Sequence, residues 1–160
     1  MDAPFRVFYH SPIGWLSIEG TDRAVTGLHF VAGKARRETT PTPVLREAVA
    51  QIEAYFLGRR TKFDLELLPR GTDFQGEVWG ALLKVPFGRT ASYKDIAAAV
   101  SRPDAVRAVG AANGANPISI IIPCHRIIGS NGKLTGYGGG LWRKEWLLAH
   151  EQAGNGPLFA

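Results

Sequence analysis

The chain has 160 residues, 45% of them hydrophobic and 21% charged, which is enough apolar material for one ordinary domain or two small lobes and excludes a disordered chain. No apolar run approaches the roughly 18 residues of a membrane span, and Met1-Asp2-Ala3-Pro4 has neither the basic nor the apolar region of a secretory signal. The formal charge of +5 is spread, with 10 basic and 8 acidic residues up to Arg70 and 9 and 6 from Gly71 onward, a balance that suits a polyanion partner.

The first seventy residues read as a small α+β lobe. Phe5 to His10, Gly14 to Glu19 and Ala24 to Phe30 are short runs of aromatic and β-branched residues separated by Ser11-Pro12 and Gly20-Thr21-Asp22, as in an antiparallel meander. Thr42-Pro43 starts a helix with Leu45, Ala48, Val49, Ile52 and Phe56 on one face, and Gly58 ends it. Phe63, Leu65 and Leu67 alternate like one more strand. This lobe carries no obvious chemistry and reads as scaffold.

The polar break at Arg70-Gly71-Thr72-Asp73 divides a scaffold lobe, residues 1–71, from a second lobe, 72–154. Thr72 with Gln75 forms a capping pattern for a helix that buries Phe74, Val78, Leu82 and Val85 and stops near Pro86-Phe87-Gly88. Ser92 with Asp95 opens a short helix through Val100, and Pro103-Asp104 starts another through Ala112, ended by Asn113-Gly114. Two short helices with a tight turn are either a structural pair or a DNA-binding helix-turn-helix. The second carries little except alanine, glycine and Arg107. It lacks the long polar side chains that read major-groove base edges. Its slim surface suits the minor groove, with one arginine projecting into the base stack.

Asn116-Pro117 precedes the apolar run Ile118 to Ile122, which reads as a fully buried strand delivering Cys124 to a pocket at its end. Cys124 is the only cysteine. It can form no internal disulfide and is either inert filling or a reactive group. His125 and Arg126 on one side and Pro123 on the other are neighbours that favour a nucleophilic thiolate. Glu151 or His150, on a last helix from about Leu141 to Glu151, could complete a cysteine, histidine and carboxylate relay. That helix ends before Gly154, leaving 155–160 as a loose tail. The lone cysteine and the absent export signal point to a cytoplasmic setting.

Several blocks stand in order: Phe74-Gln75-Gly76-Glu77-Val78-Trp79, Val85-Pro86-Phe87-Gly88, Ser92-Tyr93, Arg107-Ala108-Val109-Gly110, Asn116-Pro117, Pro123-Cys124-His125-Arg126-Ile127-Ile128-Gly129 and Lys144-Glu145-Trp146-Leu147-Leu148. Together they resemble the O6-alkylguanine-DNA alkyltransferases, or methylated-DNA–protein-cysteine methyltransferases, of the stand-alone bacterial type. The resemblance implies a two-lobed α+β fold and direct, single-use repair. O6-alkylguanine, and O4-alkylthymine as well, would be flipped out of double-stranded DNA through the minor groove, and the alkyl group would pass irreversibly to Cys124. No cofactor is expected, and the protein would act as a monomer.

By the same resemblance Cys124 is the nucleophile and acceptor, His125 takes its proton through a water, and Glu151 orients His125. Asn116 fixes the turn before the cysteine, and Tyr137 donates to the leaving guanine. The Gly138 amide serves O6, and the carbonyls of Cys124 and Ile127 read the exocyclic amine. Tyr93 crowds the target phosphate, Arg107 fills the gap in the stack, and Ala108, Gly110, Gly114 and Ser130 contact DNA. Arg126 ties down structure. Some relatives hold zinc through N-terminal cysteines and histidines; His10 and His29 cannot form such a site, so no metal is expected. Ser119 stands where relatives that accept benzyl groups have a proline, and Gly138 where some have a serine, which implies efficient methyl transfer and weaker benzyl transfer. The rival readings are a damage-sensing protein that binds without transfer, and a cysteine hydrolase.

Overall fold

A computed structural model describes residues 5–33 and 38–159, with 154–159 as backbone. The chain divides into two compact units, Met1–Arg70 and Gly71–Ala160. In the first, strands β1 (Phe5–Ser11), β2 (Gly14–Gly20) and β3 (Val25–Val31) form an antiparallel meander. Val7 pairs with Ile18, and Ile18 with Leu28, so alternation sends these side chains to one face with Leu16. Helix α1 (Pro43–Phe56) is capped by Thr42, whose side chain accepts from the Leu45 amide, and it buries Leu45, Ala48, Ile52, Tyr55 and Phe56. Gly20 turns where a Cβ would stand 2.4 Å from the Ala24 carbonyl oxygen, a closeness that only glycine tolerates.

The strand expected at Phe63–Leu67 reduces to a single bridge, Val25 with Leu67. The Gln51 side chain takes the place of a partner strand. Its Oε1 accepts from the Asp64 amide at 2.9 Å and its Nε2 donates to the Asp64 carbonyl at 3.0 Å. Asp64 is therefore satisfied by a side chain, while Val25 bonds to the Glu66 carbonyl and the Leu68 amide.

In the second unit, α2 (Asp73–Leu82) starts with the Thr72–Gln75 capping box and α3 (Tyr93–Ala99) with the Ser92–Asp95 box, each with both reciprocal bonds formed. The buried face of α2 is Val78, Trp79 and Leu82, whereas Phe74 is half-exposed and faces the Arg102 guanidinium at 5.5 Å. The Trp79 indole N–H donates to the Ala112 carbonyl at 2.9 Å, tying α2 to α4 (Val106–Gly114). The latter begins later than expected. Pro103 and Asp104 lie in a turn closed by the Ala105 amide on the Arg102 carbonyl, and Ala105 offers no capping side chain.

Strands β4 (Ala91–Ser92) and β5 (Ile127–Ile128) pair in parallel, Ala91 with Ile127 and Ser92 with Ile128. This short ladder sets the start of α3 beside the segment that follows Cys124. The last helix, α5, spans Leu141–Phe159 and continues past the stop expected before Gly154. Gly154 costs about 1 kcal/mol against alanine and does not by itself force the helix to end, and the span runs on through Gly156 and Pro157. Among the described residues, no helix is long and apolar enough to cross a membrane, and no three His, Cys, Asp or Glu side chains group so as to hold a metal ion.

Candidate active site

The run Ile118–Ile122 is buried but is not a strand. Its amides close on themselves, Ile121 on the Ser119 carbonyl at 2.8 Å and Ile122 on the Ile118 carbonyl at 3.0 Å. Ile120 adopts φ 72°, a left-handed conformation that is unfavourable for a β-branched residue. The run's apolar content reports burial, and the chain meets it with a compact turn. Asn116 closes that turn from below: its Nδ2 donates to the Ile122 carbonyl at 2.8 Å, and its Oδ1 accepts from the Ile118 amide at 3.0 Å.

Cys124 opens a 3-10 turn with His125 and Arg126, and all three side chains are buried, Cys124 at 6% exposure. Glu151 of α5 meets two of them. Its Oε2 lies 2.7 Å from His125 Nε2, and Arg126 donates to both its oxygens at 2.8 and 3.0 Å. The remaining Arg126 amine donates to the Val85 carbonyl at 2.7 Å. Of the two residues that could complete the relay, Glu151 arrives and His150 does not; the latter stacks on Trp146 with ring centroids 5.0 Å apart.

Burial dominates the charges here. It pushes the Cys124 thiol up, against the opposing pull of the Asn116 side chain and the Lys144 cation. The resting group is therefore a thiol, not the thiolate expected from its neighbours, because burial outweighs the groups that favour the ionised sulfur. Burial also pushes His125 down, more than its contact with Glu151 raises it, leaving a neutral imidazole. For Glu151 burial works toward protonation, but the His125 and Arg126 contacts outweigh it and hold the carboxyl well below the usual range. An ionised carboxylate only accepts, so His125 donates through Nε2 and carries its lone pair on Nδ1. That Nδ1 has no hydrogen-bond partner among the described residues. The arrangement can orient an imidazole base beside a buried thiol.

Lys144, on α5, stands in a motif block that announces no role for it. It is fully buried, and its ammonium donates to the Ile127 carbonyl at 2.6 Å and the Thr135 carbonyl at 3.0 Å. A buried lysine runs against the usual preference of the residue, and its partners are backbone oxygens that no motif announces. The Tyr137 hydroxyl is also buried. Burial pushes its pKa well above the ordinary value and the Cys124 charge adds to this, while the Ser119 side chain and Arg143 pull the other way. At neutral pH it is a phenol, able to donate. Gly138 is exposed, and a Cβ there would meet no atom within 4 Å.

The helix pair carries the remaining candidates. On α4, Arg107, Ala108 and Gly114 are exposed, while Gly110 packs against the ring of Tyr93, where a Cβ would stand 3.9 Å from Cδ1. Ser130 is exposed and lines an open groove of about 420 Å³ with Ser92, Lys94 and Gly132.

Residues 73–153 match the model of the 6-O-methylguanine DNA methyltransferase DNA binding domain, and residues 5–69 that of the ribonuclease-like domain of the same methyltransferases. A methylated-DNA–protein-cysteine methyltransferase from Methanosarcina barkeri is 51% identical over 147 residues, covering 89% of this chain and 93% of that protein. One from Mycobacterium bovis is 52% identical, covering 89% of each. The crystal structure of Mycobacterium tuberculosis O6-methylguanine methyltransferase superposes with a TM-score of 0.84 at 48% identity over 93% of both chains. That of Mycobacterium tuberculosis OGT in complex with DNA gives 0.84 at 51% identity over 92% of both.

Proposed function

The chain belongs to the 6-O-methylguanine DNA methyltransferase family, and from that membership we propose that it repairs alkylated DNA by moving the alkyl group of O6-alkylguanine irreversibly to the sulfur of Cys124. The observation that carries this reading is the His125–Glu151 contact of 2.7 Å directly beside the buried Cys124. It supplies a neutral, oriented base for a thiol that burial keeps protonated at rest.

In the proposed reaction the Cys124 proton passes through a water to His125 Nδ1, and the resulting imidazolium is balanced by Glu151. The sulfur then attacks the alkyl carbon, the C–S bond forms, and the C–O6 bond breaks with its electron pair going to the guanine. Tyr137 donates a proton to the ring so that guanine departs neutral, and His125 returns the thiol proton, restoring the phenol. A donor placed where charge develops lowers the barrier without reorganisation. The Gly138 amide serves O6, and the carbonyls of Cys124 and Ile127 read the exocyclic amine. Lys144 supports the thiolate, because its cation lowers the thiol's pKa. O4-alkylthymine fits the same chemistry. The thioether is stable, so each molecule acts once.

A base inside the duplex is out of reach, so it would be flipped at a cost of a few kcal/mol. Arg107 on the exposed, small-residue face of α4 would enter the gap from the minor groove, with Ala108, Gly110 and Gly114 letting the backbone come close. Tyr93 would crowd the target phosphate, and Ser130 would contact the strand beside it. Intact-mass measurement after incubation with a duplex containing O6-methylguanine tests the reading. The expected result is a permanent gain of one methyl on the Cys124 peptide. Turnover with unmodified protein would instead indicate a hydrolase, and binding without transfer a sensor.

A further inference from the structure

Tyr93 opens α3 and lays its ring against α4 at Gly110. Its hydroxyl reaches beyond the helix pair and lies 2.7 Å from the Thr135 hydroxyl. Thr135 precedes Tyr137 by two positions in the segment between β5 and α5. Its carbonyl accepts from Lys144 at 3.0 Å, and the same ammonium donates to the Ile127 carbonyl at 2.6 Å. A continuous run of bonds thus joins Tyr93 through Thr135 and Lys144 to the backbone that follows Cys124. No motif in the sequence marks Thr135.

A phenol and a threonine hydroxyl each carry one proton, and either can serve as donor in the bond between them. A phosphodiester only accepts. If Tyr93 gave its proton to Thr135, it would turn lone pairs toward an approaching phosphate. If Thr135 donates, the phenol proton stays available for the anion, and the resulting bond is charge-assisted and strengthened by the chain behind it.

We propose that Thr135 is a positioning residue for nucleotide rotation: its hydroxyl donates to Tyr93 Oη, fixes the phenol rotor and directs the phenol proton at the phosphate of the flipped nucleotide. This rests on the reading that Tyr93 meets that phosphate. The same bond ties the rotation device to the segment that carries Tyr137, so the two parts of the reaction share one support.

The test is single-turnover methyl transfer from an O6-methylguanine duplex and from free O6-methylguanine base, compared as a ratio, because the free base needs no rotation. Thr135→Val keeps the shape, loses the hydroxyl and lowers the ratio about fivefold, the scale of one modest hydrogen bond. Thr135→Ser restores it. Tyr93→Phe also lowers it, and adding Thr135→Val to Tyr93→Phe changes nothing further, the signature of coupled residues. Thr135 is exposed, so neither substitution moves the unfolding midpoint appreciably. A wild-type ratio in Thr135→Val alongside an impaired Tyr93→Phe overturns this proposal alone, as does full additivity of the two. A wild-type ratio in Tyr93→Phe overturns the underlying reading of Tyr93 and the proposal with it.

Discussion

Arg126 grips Glu151 through both carboxylate oxygens, at 2.8 and 3.0 Å, with the carboxylate 1% exposed. A buried charge of this kind is stable only while paired. Arg126→Met therefore lowers the unfolding free energy by about 3–5 kcal/mol, read from urea titrations at pH 7.5. A loss under about 1 kcal/mol, the range of surface ion pairs, would show that the pair is not the buried element described.

Acidification weakens the fold from two directions. His125 is depressed by burial and Glu151 by its contacts with His125 and Arg126, so for both the unfolded chain binds protons more readily than the folded one. The His125 contribution is complete above the unfolded value of about 6.5 and declines as pH falls below it. The Glu151 contribution declines below about 4.3, the unfolded carboxyl value. Unfolding free energies measured from pH 8 to pH 5 should fall, and His125→Gln should flatten the slope. An equal slope in that variant would contradict the assignment.

Lys144→Met removes a cation that favours the ionised sulfur and frees the Ile127 and Thr135 carbonyls. Without that cation the thiol pKa rises further and the thiolate fraction falls. Methyl transfer at pH 7 should slow about tenfold and recover partly as pH rises, whereas Lys144→Arg should retain more of the rate. A slow rate that is flat with pH would assign Lys144 to packing alone.

Benzyl transfer should be well below methyl transfer. Ser119 sets a hydroxyl near the Tyr137 phenol, where an apolar proline ring would pack against an aromatic substituent. Competition between O6-methylguanine and O6-benzylguanine oligonucleotides measures this directly, and equal rates would refute it. Gly138→Ser is expected to shift stability by no more than about 0.5 kcal/mol, since a Cβ there meets no neighbour within 4 Å.

Caps were legible in the sequence because they are local. Thr42, Thr72 and Ser92 each satisfy an amide three positions on, and no distant contact is needed to foresee it. The alternation of β1 to β3 was legible for the same reason. Ile118–Ile122 was not: five residues of high apolar content specify an interior, and only the Asn116 bonds across the segment decide between extension and a turn. Lys144 and Thr135 were illegible in another way. Lys144 is held by two backbone carbonyls and the Thr135 side chain by a single hydroxyl far along the chain, and periodicity detects neither kind of partner. At the site, the resemblance already implied Cys124, His125 and Glu151, while residue spacing alone left Glu151 and His150 open, a choice that rests on the phase of α5.

Cys124 is both the single sulfhydryl of the chain and a buried one. A thiol reagent should therefore react slowly with the native protein and rapidly after denaturation, and the denatured reading refers to one atom. With Cys124 as the proposed acceptor, the sulfhydryl titre of a preparation that has met alkylated DNA would count the molecules that have not yet reacted, an internal gauge of the repair capacity that remains.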